Sequence, residues 1–180
     1  MLLSYAQCID RYGTDYKIKK ELEKGTLFMA EKGLYSTEQR TSELEIVMQR
    51  YPRAVFTDRS AFYYHSLTDV IPEYYYLATR REDTRITDHK VKQSYSKKEI
   101  FEAGIEVIEH NGQNIRIYNV ERMLVELMRF KYRYSLDFYK EIIMNYRQKT
   151  EEMDFFLVEE YASMFRNKES IMVHIQMEVL

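Results

Sequence analysis

The Asn111-Gly112 pair, set between Ile105–His110 and Asn114–Tyr118, constrains this chain more than any other feature. Two residues of this type between apolar runs close a tight antiparallel hairpin. The two-residue strand period predicts that Ile105 and Val107 share a face with Ile115 and Ile117. Directly after Tyr118 the period changes. Val120, Leu124, Leu127 and Met128 recur at helical spacing, as do Phe138, Ile142 and Tyr146 beyond Ser135. Further amphipathic segments follow at 154–165 and 168–179. Strands that give way to consecutive helices indicate an α+β chain with a C-terminal helical tail.

Upstream, the pattern predicts strands at Ala54–Phe56, Tyr74–Thr79 and Lys90–Tyr95, with a helix after the first, capped by Thr57 or Asp58. Ser96 and Glu99 have capping-box spacing and are expected to open a short helix that ends at Gly104. The first 36 residues read as two helices and a hairpin. Ser4–Tyr12 is broken at Gly13, and a second helix, capped by Thr14 or Asp15, runs to Lys24. Short strands at Leu27–Met29 and Leu34–Tyr35 flank the Lys32-Gly33 turn. The polar run 36–42 is the expected linker, and Ser42–Arg50 is a helix stopped before Pro52. The expected organisation is a small winged helix-turn-helix-like module at 1–36 and a mixed α/β domain with a helical tail at 37–180.

Composition narrows the function classes. With 45% hydrophobic residues and 180 in all, the chain can bury a core, and its formal charge of −2 exerts no global pull on nucleic acid or membrane. One cysteine, Cys8, excludes an intrachain disulfide and fits a reducing compartment. No run approaches a membrane span and the start lacks a signal-peptide pattern, so no membrane partner and a cytoplasmic location are expected.

Catalytic patterns are thin. His65 and Asp69 are four apart, close enough in sequence for a carboxylate to orient a base, but no nucleophile elbow surrounds Ser60 or Ser66. Four scattered histidines and one cysteine give no zinc spacing, and Glu102, Glu106 and Glu109 become a magnesium site only by tertiary convergence. No phosphate-binding loop or dinucleotide fingerprint occurs. No catalytic residue, metal or cofactor is therefore expected.

Charge is the stronger lead. Lys17, Lys20 and Lys24 form a helix stripe apart from Ile18 and Leu22, and Lys32 follows in the hairpin turn. A lysine-bearing helix followed by a basic hairpin is how a winged helix-turn-helix meets DNA. Glu21 and Glu23 dilute the stripe, and 1–35 carries only about one net positive charge. Between Arg80 and Lys98 the balance is about plus four, with Arg80, Arg81, Arg85, Lys90 and Lys92 as a second basic surface. Arg129, Lys131 and Arg133 form a third cluster, while residues 150–180 carry about minus five.

Three stretches, in order, resemble the AbiEi family, antitoxins of type IV toxin–antitoxin (abortive infection) systems. Gly25-Thr26-Leu27 through Gly33-Leu34-Tyr35 is similar to the family's wing. Ser60–Asp69 with Pro72 is similar to T-A-L-x-L-H-G-L-x-D…P, with Ser60, Tyr64 and Ser66 as departures. Ile117–Arg122 is similar to V-Y-D-x-E-R-T, with Asn119 in place of Asp and Met123 in place of Thr. The matched motif positions are His65, Asp69, Glu121 and Arg122, and the ending, 176–180, also fits.

The resemblance implies a non-enzymatic antitoxin that represses its own operon by binding inverted repeats in the promoter. It also implies a second domain that counters a nucleotidyltransferase-like toxin without a stable complex. By position, the implied DNA contacts are Lys17, Lys20, Lys24 and Lys32. The chain starts where the family's second helix lies, so the resemblance implies a truncated winged helix-turn-helix module at 1–36. Its Ile18 and Leu22 then need cover from the larger domain or from a second copy in a homodimer. The alternatives are an interaction-only domain that has lost DNA binding and a nuclease-like enzyme.

Overall fold

A computed structural model describes all 180 residues as a mixed α+β fold in two compact units, Met1–Arg53 and Ala54–Leu180. Residues 37–53, assigned above to the larger domain, belong to the first unit.

The first unit comprises β1 (Leu2–Ser4), α1 (Tyr5–Tyr12), α2 (Asp15–Glu23), β2 (Phe28–Glu31), β3 (Leu34–Ser36) and α3 (Glu43–Arg50). Ser4 caps α1 through a reciprocal box with Gln7, and Thr14 caps α2 by accepting from Lys17 N. Strand β1 is invisible in the sequence pattern because three residues cannot show a period. It exists by pairing with β3, Leu2 opposite Ser36 and Ser4 opposite Leu34. The antiparallel sheet has the order β1-β3-β2, with both first helices inserted between β1 and β2.

Ile18, 1% exposed, packs in a core with Leu3, Cys8, Leu27 and Tyr35, with Leu22 against it. This corrects the expectation that Ile18 and Leu22 need cover from the larger domain or a second copy. The strand before α1 and the hairpin after α2 close the core from within the unit. Helix α3, whose capping box joins Ser42 and Glu45, packs against β1, and Arg50 pairs with Glu31 on β2.

The second unit comprises β4 (Val55–Phe56), α4 (Asp58–Tyr64), β5 (Tyr75–Arg80), β6 (Val91–Ser96), α5 (Lys98–Glu102), β7 (Ile105–His110) and β8 (Gln113–Tyr118). Four helices follow: α6 (Val120–Phe130), α7 (Leu136–Lys149), α8 (Phe155–Ser163) and α9 (Lys168–Glu178). Its five-stranded sheet has the order β6-β5-β4-β8-β7. Strands β5 and β6 pair in parallel, as do β4 and β8, while β4–β5 and β7–β8 are antiparallel. Helix α6 lies at the centre of the packing, against α4, α8 and α9, with Met123, Leu124, Val125 and Leu127 fully covered.

Two local expectations are corrected. The Ser96–Glu99 capping box does not form, because Ser96 ends strand β6 and α5 starts at Lys98, with Lys97 as an N-cap that makes no side-chain bond. The hairpin faces also differ. Asn111 and Gly112, both at positive φ, pair His110 with Gln113, so every pair joins an odd-numbered to an even-numbered residue. Ile115 and Ile117 therefore share a face with Ile108 and Glu106, whereas Val107 shares the opposite face with Arg116 and is 60% exposed.

Candidate functional site

Helix α2 turns Ile18 and Leu22 into the core, which leaves its lysines outward. Lys17 and Lys20, one turn apart, are exposed and make no ion pair, and Lys32 is exposed at the β2–β3 turn. Lys24 differs. It is the C-cap of α2 and donates to Glu21 Oε1 at 2.6 Å. Hydrogen bonds from Lys24 and Thr26 hold the Glu21 carboxyl below its usual range. The first unit thus presents three uncommitted lysines of the four expected.

The second basic surface is also partly committed. Arg80 donates to Glu102 at 2.8 Å, and the Lys92 ammonium lies 4.2 Å from the Tyr74 ring centroid. Lys90, half-buried, ends the turn into β6. Arg81 and Arg85 project from the 81–90 loop. Gln93 anchors that loop: it accepts from Ile86 N at 2.7 Å and donates to Thr84 O at 3.2 Å. Glu102, Glu106 and Glu109 do not converge: Glu102 takes Arg80, Glu106 faces His65, and Glu109 is exposed.

The motif positions meet at the junction of β8 and α6, with one exception. His65 Nε2 donates to the Tyr118 carbonyl at 2.7 Å. Asn119 caps α6 by accepting from Arg122 N, and Glu121 accepts from Asp154 N at 3.2 Å. Asp69 is exposed elsewhere, its backbone N–H donating to Glu141. The His65–Asp69 pairing suggested by their spacing does not form. His65 fastens the end of β8, Glu121 ties the start of α6 to the N-cap of α8, and Arg122 N takes the Asn119 cap.

Burial is the main reason the His65 imidazole sits below its ordinary value of 6.5, and Lys149 pushes it the same way. The Tyr118 carbonyl and Glu121 oppose the shift, and Glu106 Oε1 lies 3.7 Å away. A base that resists protonation when folded contributes full stability above its unfolded value, and that contribution is lost as pH falls below it. Lowering the pH from about 6.5 toward the depressed value is therefore expected to destabilise the second unit. His65→Gln, which keeps a donor for Tyr118 O, is expected to flatten that part of the profile. Urea midpoints followed by circular dichroism across pH check this. Glu106, its carboxyl raised chiefly by burial, contributes with the opposite sign, and comparison with the variant removes it.

A cavity of about 400 Å³ lies between the sheet and the C-terminal half of α6. Small residues Ala78, Ser94 and Ser96 line it beside Arg129, Phe130 and Arg133. Arg129 donates to Glu126 at 2.6 Å and stacks 3.5 Å from the Phe165 centroid. On the other oxygen Glu126 accepts from Arg122, also at 2.6 Å. Arg122 is 1% exposed, lies over the Tyr118 and Phe165 rings, and its Nε and Nη1 have no acceptor. Asp58 lines the same cavity at a positive φ of 49° and accepts from the Tyr134 hydroxyl at 3.0 Å. Burial raises its carboxyl.

Sequence reasoning singled out Arg129 and Arg133 only as part of a basic cluster with Lys131, which instead pairs with Glu178. The spacing of Arg122, Glu126, Arg129 and Arg133 was the available signal, since residues three and four apart share a helix face. No model of a known protein family and no curated protein matches the chain.

Proposed function

We propose that this protein is a non-enzymatic antitoxin and transcriptional autoregulator whose first unit binds the promoter of its own operon. In this reading the Met1–Arg53 unit is a winged helix-turn-helix, α1 and α2 forming the helix pair and β2–β3 the wing. The observation that carries it is the β1-β3-β2 sheet wrapped around that pair, with Lys17 and Lys20 free on the second helix and Lys32 in the wing turn. Phosphate contacts by these lysines supply affinity, and a dimer on inverted repeats supplies register. The Ala54–Leu180 unit is assigned the countering of a nucleotidyltransferase-like toxin, on the motif resemblance.

The test is fluorescence anisotropy of the full chain with duplex DNA from upstream of its own gene, beside a scrambled duplex, at several salt concentrations. Tight, sequence-preferring, salt-sensitive binding is expected. Lys17→Ala with Lys20→Ala weakens it and makes the slope of log affinity against log salt shallower by about 2, near one per phosphate contact. Both side chains are exposed, so folding is unaffected. Equal binding to the two duplexes, or an unchanged slope, overturns the DNA-reading role and leaves the interaction-only reading.

A further inference from the structure

We propose that the cavity between the sheet and the end of α6 binds a nucleoside phosphate. The site is built from charge, room and a ring surface. Glu126 is the carboxylate shared by Arg122 and Arg129, so this buried cluster holds two cations against one anion. A low-dielectric interior makes such an excess costly unless an anion or a π face compensates it. The rings of Tyr118 and Phe165 compensate Arg122, which is buried behind the lining, so the excess positive charge reaches the cavity through Arg129.

Two more cations border the same space without an ion pair, Arg133 acting only at longer range on the Asp58 carboxylate. Arg133, on the 3-10 turn Lys131–Arg133 that follows α6, lies 4.0 Å from the Phe130 centroid and makes no ion pair. Lys97, after the end of β6, is exposed and makes none either. Both have every N–H free for phosphate oxygens, and a guanidinium accepts them two at a time.

The rest of the lining suits the nucleoside. The half-buried rings of Phe130 and Phe165 in the lining provide a face for base stacking. Ser94 and Ser96 of edge strand β6 place hydroxyls on the sheet side. Asp58 provides an acceptor for a ribose hydroxyl or a base amino group. Its positive φ is a backbone conformation that costs energy outside glycine and is concentrated at functional sites. A volume near 400 Å³ falls within the span of small-molecule sites, about 300–1,000 Å³.

The inference is independent of DNA binding, since every residue named lies in the second unit. The experiment is isothermal titration calorimetry of the full chain with ATP and GTP, beside tripolyphosphate and adenosine. Saturable one-to-one binding of a nucleotide is expected, tighter than of tripolyphosphate or adenosine. Arg133→Gln and Lys97→Gln, both at exposed positions, each weaken it about tenfold, the loss of one charge-assisted contact. Ser94→Phe puts a ring into the lining without changing charge and abolishes binding. Lys17→Ala with Lys20→Ala leaves binding unchanged, which separates this site from the DNA surface. No saturable nucleotide binding, wild-type affinity in both glutamine variants, or tripolyphosphate binding as tightly as ATP overturns the proposal.

Discussion

Replacing Glu126 with alanine is expected to destabilise the Ala54–Leu180 unit by about 3–5 kcal/mol, the cost of stranding a buried charge. Glu126 is the anion that both Arg122 and Arg129 face, each at 2.6 Å, and the side chains are 13%, 1% and 22% exposed. Without it two guanidiniums a few ångströms apart repel in a poorly solvated space. Arg122 has nowhere to go, since its Cβ lies against the position a Gly104 side chain would take and its head lies over two rings. The partner experiment reverses the logic. Glu126→Met combined with Arg122→Met removes one charge of each sign, and much of the loss is expected to return, because apolar replacements of a buried ion pair are often neutral or better. Urea denaturation followed by circular dichroism reads both. A cost below about 1 kcal/mol, the value of an exposed pair, means the cluster is solvated.

Gly104→Ala is the second large effect. Gly104 has φ +76°, and a Cβ there meets Arg122 Cβ at 2.7 Å and Asn119 Oδ1 at 2.9 Å. Neither neighbour yields cheaply. The first is fixed to the α6 backbone, and the second is the N-cap of α6, held by the bond it accepts from Arg122 N at 2.9 Å. The Gly104 carbonyl also accepts from Asn119 N at 2.7 Å, so the segment cannot swing away. Left-handed backbone strain of about 1–2 kcal/mol adds to overpacking of about 1–3 kcal/mol. Gly112→Ala is the control. Its φ is +78° with open space around it, so only the strain remains. A difference between the two variants of about 1–3 kcal/mol isolates the contact with α6, and equal losses remove it.

The sequence carried unequal amounts of this protein. Regular elements with a long period or a defined turn were readable: the α6 and α7 patterns, the Asn111-Gly112 hairpin and the cap at Thr14. Each is set by residues within a few positions of one another. Strand β1 was not readable, because its hydrogen bonds go to β3, about thirty residues away. The face assignment of the hairpin failed because it used the strand period without the parity that a two-residue turn imposes.

The candidate site divided in the same way. That α2 lysines point outward follows from helical period once Ile18 is inside. Which of them are free does not, since Lys24 is taken by Glu21 and Arg80 by Glu102 through side-chain geometry that periodicity does not encode. His65, Asp69, Glu121 and Arg122 were visible as a motif. The fold places His65 and Arg122 at the β8–α6 junction, turns Glu121 to the N-cap of α8, and leaves Asp69 exposed.

By itself the sequence determined the element types, the α+β class and the outward lysine stripe, because propensity, capping and period act over one or two turns. Only the tertiary structure decided that residues 37–53 join the first unit, that Ile18 is covered from within it, and that Arg122 and Arg129 share a single glutamate above a cavity. Those outcomes depend on which distant surfaces meet and on the charges they exclude from water. Burial and pairing across the fold are sums over the whole chain, and no local window contains them.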